Sequence, residues 1–140
     1  MALERTLFIV KPDAVERHLI GRIVAHVEEK GFRLIEARLA SLQREEAQTF
    51  YAEHQGKPFM SALVNYMTSG PVLLTVLERE DAVKTLREVI GATDPAEAAP
   101  GTIRKLYAES KERNSVHASD SLPSAQREVK QLFGTAALTR

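Results

Sequence analysis

The sequence predicts an α/β sandwich: one four-stranded antiparallel sheet covered by helices. Three observations lead there. Short apolar runs alternate with stretches of helical period. Gly, Pro and Asp punctuate the joins between them. The chain has 140 residues, 44% of them hydrophobic and 27% charged, which suits one compact domain with a sizeable core.

Each element follows from its pattern. Leu7, Phe8, Ile9 and Val10 form a short apolar run that stops at Lys11-Pro12-Asp13, as a buried strand stops at a turn. Pro12 and Asp13 suit a helix start. From there Val15, Leu19, Ile23 and Val27 recur every four residues, which predicts one helix ending at Gly31. Residues 32–42 return to a strand-like pattern. Residues 44–54 and 58–67 read as two short helices, the second with Phe59, Leu63 and Met67 on its inner face. Thr68-Ser69-Gly70-Pro71 breaks the chain, and residues 72–77 form a buried strand.

Residues 81–90 form a helix with Val83, Leu86, Val89 and Ile90 inward and Gly91 as its stop. Residues 92–112 carry Pro95, Pro100 and Gly101 with weak periodicity and read as one long loop, of the kind that is usually functional or disordered. Residues 114–118 suit a short strand, and residues 121–133 a last helix with Ala125, Val129 and Leu132 buried. The tail after Gly134 reads as surface. The order is β-α-β-(αα)-β-α-loop-β-α, a ferredoxin-like α/β sandwich with an inserted helical pair and one helical layer. No repeat or linker interrupts residues 1–140.

Charge narrows the function classes. Lys plus Arg equals Asp plus Glu at 19 each, so neither nucleic acid nor an anionic membrane is expected as a partner. Any anion site must be a local cluster of basic groups. The sequence has no cysteine, which excludes disulfides and thiolate metal sites and agrees with a cytoplasmic location. The opening Met1-Ala2-Leu3-Glu4-Arg5-Thr6 does not read as a signal peptide, and residues 72–77 are too few to span a bilayer.

The chemistry concentrates in Arg113-Asn114-Ser115-Val116-His117-Ala118-Ser119-Asp120-Ser121. In a strand, Val116 and His117 point to opposite faces. Ala118 is small and leaves the imidazole accessible. Ser119 and Ser121 are both candidate N-caps for the last helix. Glu128 borders that helix's buried stripe, where a carboxylate needs a partner. It is either a surface acid on the helix flank or an acceptor for one imidazole nitrogen, fixing the tautomer and freeing the other nitrogen to attack. No glycine-rich phosphate loop occurs, so side chains would have to hold any phosphate. Lys11, Arg87 and Arg104 are candidates, though solvated charge is the usual fate of Lys and Arg.

The segment Asn114-Ser115-Val116-His117-Ala118-Ser119-Asp120-Ser121 resembles the nucleoside diphosphate kinase signature Asn-x-x-His-Gly-Ser-Asp. Four further matches stand in family order. They are Glu4-Arg5-Thr6 leading to Ile9-Val10-Lys11-Pro12-Asp13; Phe50-Tyr51-Ala52-Glu53-His54; Ser69-Gly70-Pro71-Val72; and Gly91-Ala92-Thr93-Asp94-Pro95 with Pro100-Gly101-Thr102-Ile103-Arg104. Five ordered motifs over nearly the full chain are very specific.

The resemblance implies a γ-phosphate transfer between nucleotides by a ping-pong route. It makes His117 the nucleophile, attacking through Nδ1, and Glu128 the carboxylate on its other nitrogen, with Ser119 bonded to that carboxylate. Lys11, Tyr51, Arg87, Thr93 and Arg104 match phosphate-site positions, as does His54 in some members. Asn114 and Lys11 match residues at the ribose hydroxyls. Phe59 matches the aromatic that stacks on the base, and Leu63 belongs to the same nucleotide-binding set. Mg²⁺ is implied as the cofactor, bridging nucleotide phosphates rather than sitting in a protein cage. A homo-oligomer is implied, hexamer or tetramer of dimers.

Three positions depart from the family pattern. Ala118 replaces a glycine, which would cost about 1 kcal/mol if the site needed positive φ. Lys111 stands where an apolar residue usually closes over the base. Leu106 replaces a common acidic residue. Two other classes remain on the residues alone: a phosphohistidine relay protein and a non-catalytic ferredoxin-like binding module.

Overall fold

The protein is described here by a computed structural model covering residues 3–139; Met1 and Ala2, where the leader reading begins, lie outside the described residues. Strand β1 (Leu3–Val10) leads into two helices, α1 (Pro12–Glu16) and α2 (Ile20–Glu29). Strand β2 (Arg33–Ala40) is followed by α3 (Arg44–Phe50), a 3₁₀ turn (Ala52–His54) and α4 (Met60–Met67). Strand β3 (Val72–Glu80) leads to α5 (Ala82–Ile90) and α6 (Ile103–Tyr107). Strand β4 (Val116–Ala118) and α7 (Leu122–Phe133) follow, and a 3₁₀ turn (Thr135–Leu138) closes the chain.

The sheet order is β2-β3-β1-β4 and every pairing is antiparallel. This is the ferredoxin-like arrangement expected from the pattern. The central strands β1 and β3 pair from Leu3↔Glu80 to Val10↔Leu73. β4 is an edge strand held by β1 alone, with His117 opposite Ile9.

Helices cover both faces of the sheet, not one. Phe8, Val10, Val116 and Ala118 pack with Ile23 and Val27 of α2 and Leu86 and Ile90 of α5. Leu7, Ile9, Leu74 and Val76 pack with Phe50, Met67, Val129 and Leu132. The alternation of β1 between these two cores requires a second helical layer.

Four further expectations are corrected. The single helix to Gly31 is two, because His18 takes φ +62° and ends the first turn. Leu19 N–H bonds back to Ala14 C=O at 3.0 Å there, while the apolar stripe runs on through Ile23 and Val27. The helix placed at residues 58–67 begins at Met60, and Phe59 is 49% exposed, so the inner face is Val64 and Met67. The long loop holds α6, capped by the Thr102 hydroxyl and burying Ile103 and Arg104. The tail is not all surface: Ala137 is fully buried and its carbonyl accepts from Arg5 at 3.0 Å.

Gly91, the stop of α5, has φ +88°, and a Cβ there would meet the Thr102 Oγ1 at 2.5 Å. Only glycine lets α5 turn so tightly against the start of α6. That contact fixes where Arg104 emerges.

Candidate active site

β4 carries the site. Val116 and Ala118 are buried in the core below, and His117 turns to the other face beside Phe50, ring centroids 5.0 Å apart and edge to face. The helix that follows starts at Ser121, whose hydroxyl accepts from Ser124 N–H at 3.2 Å. Ser119 is therefore free for another task. Its hydroxyl donates to Glu128 Oε1 at 2.7 Å, and the same oxygen lies 3.0 Å from His117 Nε2.

Glu128 is 4% exposed. Burial works to raise its pKa, but the bonds from His117 and Ser119, the charge of His117 and that of Arg127 outweigh it and hold the carboxyl below its ordinary range. A carboxylate only accepts, so the ring proton shared with it sits on Nε2, and in the neutral imidazole the lone pair falls on Nδ1.

Two cations reach this strand and a third reaches Asn114, just ahead of it. Arg104 donates to Val116 C=O at 2.9 Å and to Gly91 C=O at 3.1 Å. Arg87 donates to Ala118 C=O at 3.2 Å and pairs with Asp120 at 3.0 Å. Lys11 Nζ donates to Asn114 Oδ1 at 2.9 Å, and Asn114 Nδ2 reaches Thr93 C=O at 3.5 Å. Burial and the neighbouring Arg104 lower Lys11 to about 7, against the pull of Asp13. Burial and Arg87 lower Arg104 to about 10, which leaves it charged at neutral pH. Lys11 and Arg104 are buried and Arg87 is exposed beside them, an arrangement suited to an anion.

On the other side of His117 runs a chain of aromatics. Phe50 meets Tyr51 at 4.9 Å, Tyr51 stacks near His54 at 6.2 Å, and His54 meets Phe59 at 5.2 Å. The Tyr51 hydroxyl and His54 Nδ1 are buried without a hydrogen-bond partner. Burial, then the charge of Glu128, raises the Tyr51 pKa. Phe59, half exposed, ends this chain, with the Lys57 ammonium 5.8 Å from its ring centroid.

The structure thus gathers His117, Glu128, Ser119, Lys11, Asn114, Thr93, Arg87 and Arg104 around β4, with Tyr51, His54 and Phe59 beyond. Leu63 is half-buried and packs against the core cluster that holds Phe50 and Tyr51. Ala118 lies in regular strand and is absent from the residues with positive φ, so its methyl carries no backbone strain. Lys111 and Leu106 are exposed.

Sequence reasoning missed two groups. Phe50 was read only as part of a motif, yet it walls the imidazole. Asp13 was read as a helix start, yet it is fully buried and binds Ser115 Oγ at 2.9 Å and Arg17 at 3.1 Å, and also Tyr66. An acid directly after Lys11-Pro12 was the one signal available.

Fold and site together define the class: a ferredoxin-like α/β phosphotransferase. A nucleoside diphosphate kinase family model matches residues 4–138. The nucleoside diphosphate kinase of Pasteurella multocida (strain Pm70) is 56% identical over 133 residues, 95% of this chain and 96% of that protein. That of Anaplasma marginale (strain Florida) is 53% identical, over 95% and 91% of the two chains. The solved Aquifex aeolicus nucleoside diphosphate kinase superposes with a TM-score of 0.94 at 43% identity, covering 99% of this chain and 100% of its own. A halophilic one from Halobacterium salinarum, solved in complex with CDP, gives 0.94 at 41% identity, over 99% and 93%. The chain belongs to the nucleoside diphosphate kinase family.

Proposed function

We propose that this chain moves the γ-phosphate of a nucleoside triphosphate, mainly ATP, to a nucleoside diphosphate through phospho-His117. The observation that carries the reading is the His117–Glu128 contact, which puts the shared proton on Nε2, in a strand whose flanking carbonyls hold Arg104 and Arg87. Nδ1 forms a bond to the γ-phosphorus as the bond to the β–γ bridging oxygen breaks, and the nucleoside diphosphate leaves. A second diphosphate then attacks the phosphohistidine with a terminal oxygen, and Nδ1 recovers its lone pair.

Each neighbour has a task. Glu128 steadies the imidazole as charge develops, and Ser119 orients Glu128. Lys11, Arg87 and Arg104 neutralise the transferring oxygens, with Tyr51, Thr93 and His54 at the phosphates. Asn114 and Lys11 bind the ribose. Phe59 stacks on the base with Leu63 nearby, a mode that tolerates any base. Among the described residues no group of three His, Asp or Glu could hold a metal ion. Glu128 and Asp120 are already committed to His117 and Arg87. A Mg²⁺ ion arriving with the nucleotide would supply positive charge to the transferred group.

Among the described residues no helix is long and apolar enough to cross a membrane. That, with the lack of cysteine, supports work in the cytoplasm. A homo-oligomer, hexamer or tetramer of dimers, is supported by family membership and by β2, an edge strand exposing Leu34 and Leu39. Light scattering tests it, and a monomeric mass at micromolar concentration refutes it.

The function is tested with radiolabelled ATP and Mg²⁺. An acid-labile label should appear on the protein, leave on addition of a nucleoside diphosphate, and be absent from His117→Ala. Label that stays on the protein after that addition would overturn the transfer reading.

A further inference from the structure

We infer that Asp13, which touches neither imidazole nor substrate, is a positioning residue: its buried carboxylate locks the turn at Ser115 that sets Lys11 and β4 in register. The inference rests on the roles of His117 and Lys11 proposed above.

Ser115 is fully buried and sits at φ +73°, the left-handed region that L-residues avoid. Around it the chain makes a tight three-residue turn, Val116 N–H bonding to Asn114 C=O at 2.9 Å. Such turns are rare and strained, and persist only where the surroundings hold them. Asp13 does the holding. Its Oδ2 accepts the Ser115 hydroxyl at 2.9 Å and its Oδ1 the Ser115 N–H at 3.3 Å. Tyr66 of α4 donates to Oδ1, and Arg17 at the end of α1 donates to Oδ2 at 3.1 Å. Arg17 also reaches Tyr107 C=O at 2.6 Å, tying in α6.

The turn lies among the reacting groups. Ser115 C=O accepts Lys11 N–H at 2.8 Å. The residue before it, Asn114, takes the Lys11 ammonium, and the residue after it, Val116, takes Arg104. Relaxing the turn would shift both cations against a phosphate, while His117 keeps its own anchors in Ile9 and Glu128. A helix start would be served by an exposed acid as well; four donors drawn from α1, α4 and the entry to β4 would not be needed for it.

The charge of Asp13 gives a separate signature. The charged groups that act on the Lys11 ammonium are Arg104 of α6, which lowers its pKa, and Asp13 of α1, which raises it; Asn114 is neutral. Asp13→Asn should therefore move the alkaline limb of the second-order rate of His117 phosphorylation to lower pH. Tyr66→Phe with Ser115→Ala removes two donors but keeps the charge, so the limb should stay.

The test is rapid-quench labelling of the full chain by ATP and Mg²⁺ across pH. Asp13→Asn should be about 10- to 100-fold slower, with the limb moved. The double variant should be about 10-fold slower with the limb unmoved. A folded Asp13→Asn whose limb coincides with that of the unaltered chain overturns the inference. Should Asp13→Asn not fold, an unchanged rate in the double variant overturns it instead. Label on a His117→Ala control would bring down the histidine reading as well, whereas an unmoved limb brings down this inference alone.

Discussion

Glu128 Oε1 stands 3.0 Å from His117 Nε2 across one turn of chain and the first two turns of α7. That oxygen also accepts from Ser119, so a single buried atom fixes both the tautomer and the tilt of the imidazole. Glu128→Gln keeps an acceptor oxygen and the shape but removes the charge. Phosphohistidine formation should slow by about 10- to 1,000-fold without stopping. Rapid mixing measures it, and an unchanged rate would show that the carboxylate charge is idle.

Lys11 opposes folding where it is charged. Its ordinary pKa is 10.5 and its folded one about 7, so between these values the unfolded chain binds more protons. The burden is full below about pH 7 and fades as pH climbs toward 10.5. Lys11→Met should therefore raise the melting temperature at neutral and lower pH, with the gain shrinking in alkali, while transfer collapses. Melts across pH check the sign; a gain that grows with pH would contradict it.

Phe59 is half exposed at the end of the aromatic chain, with His54 at its edge. Loss of a stacking ring costs about 1–3 kcal/mol per base, roughly 5- to 100-fold in affinity. Phe59→Ala should weaken purine and pyrimidine nucleotides alike and leave thermal stability nearly unchanged. Titration with several nucleotides decides; a change confined to one base would mean edge recognition.

Ala118 should be better than the glycine it replaces. It lies in strand geometry and its methyl is buried in the core. Ala118→Gly should destabilise by about 0.5–1 kcal/mol and give no gain in rate. A faster enzyme would mean that the methyl crowds the imidazole.

How much of this was legible depended on period and length. The four strands and their order could be read because apolar runs and turn residues agree. The break at His18 could not, because Leu19, Ile23 and Val27 continue the stripe across it. α6 is five residues long and too short to show a period. Phe59 was assigned inward because it keeps step with Leu63 and Met67, but it precedes the helix and points out. In the site, His117, Lys11 and Arg104 stand in recognisable motifs, whereas Arg87 lies outside them. Glu128 was undecided on periodicity alone, since a position beside the stripe is equally a flank. Asp13 was invisible as a hub because its donors come from residues as distant as Tyr66 and Ser115.

β4 is a three-residue strand with a neighbour on one side only. The free side of such a strand is where a foreign chain adds, and the usual guards are charge or a covering segment. Here the guards are two guanidinium groups. Arg104 occupies Val116 C=O and Arg87 occupies Ala118 C=O, so the carbonyls that would accept from another strand are already taken. On the proposed function the same two arginines would hold phosphate and guard this edge, so selection on either property acts on both.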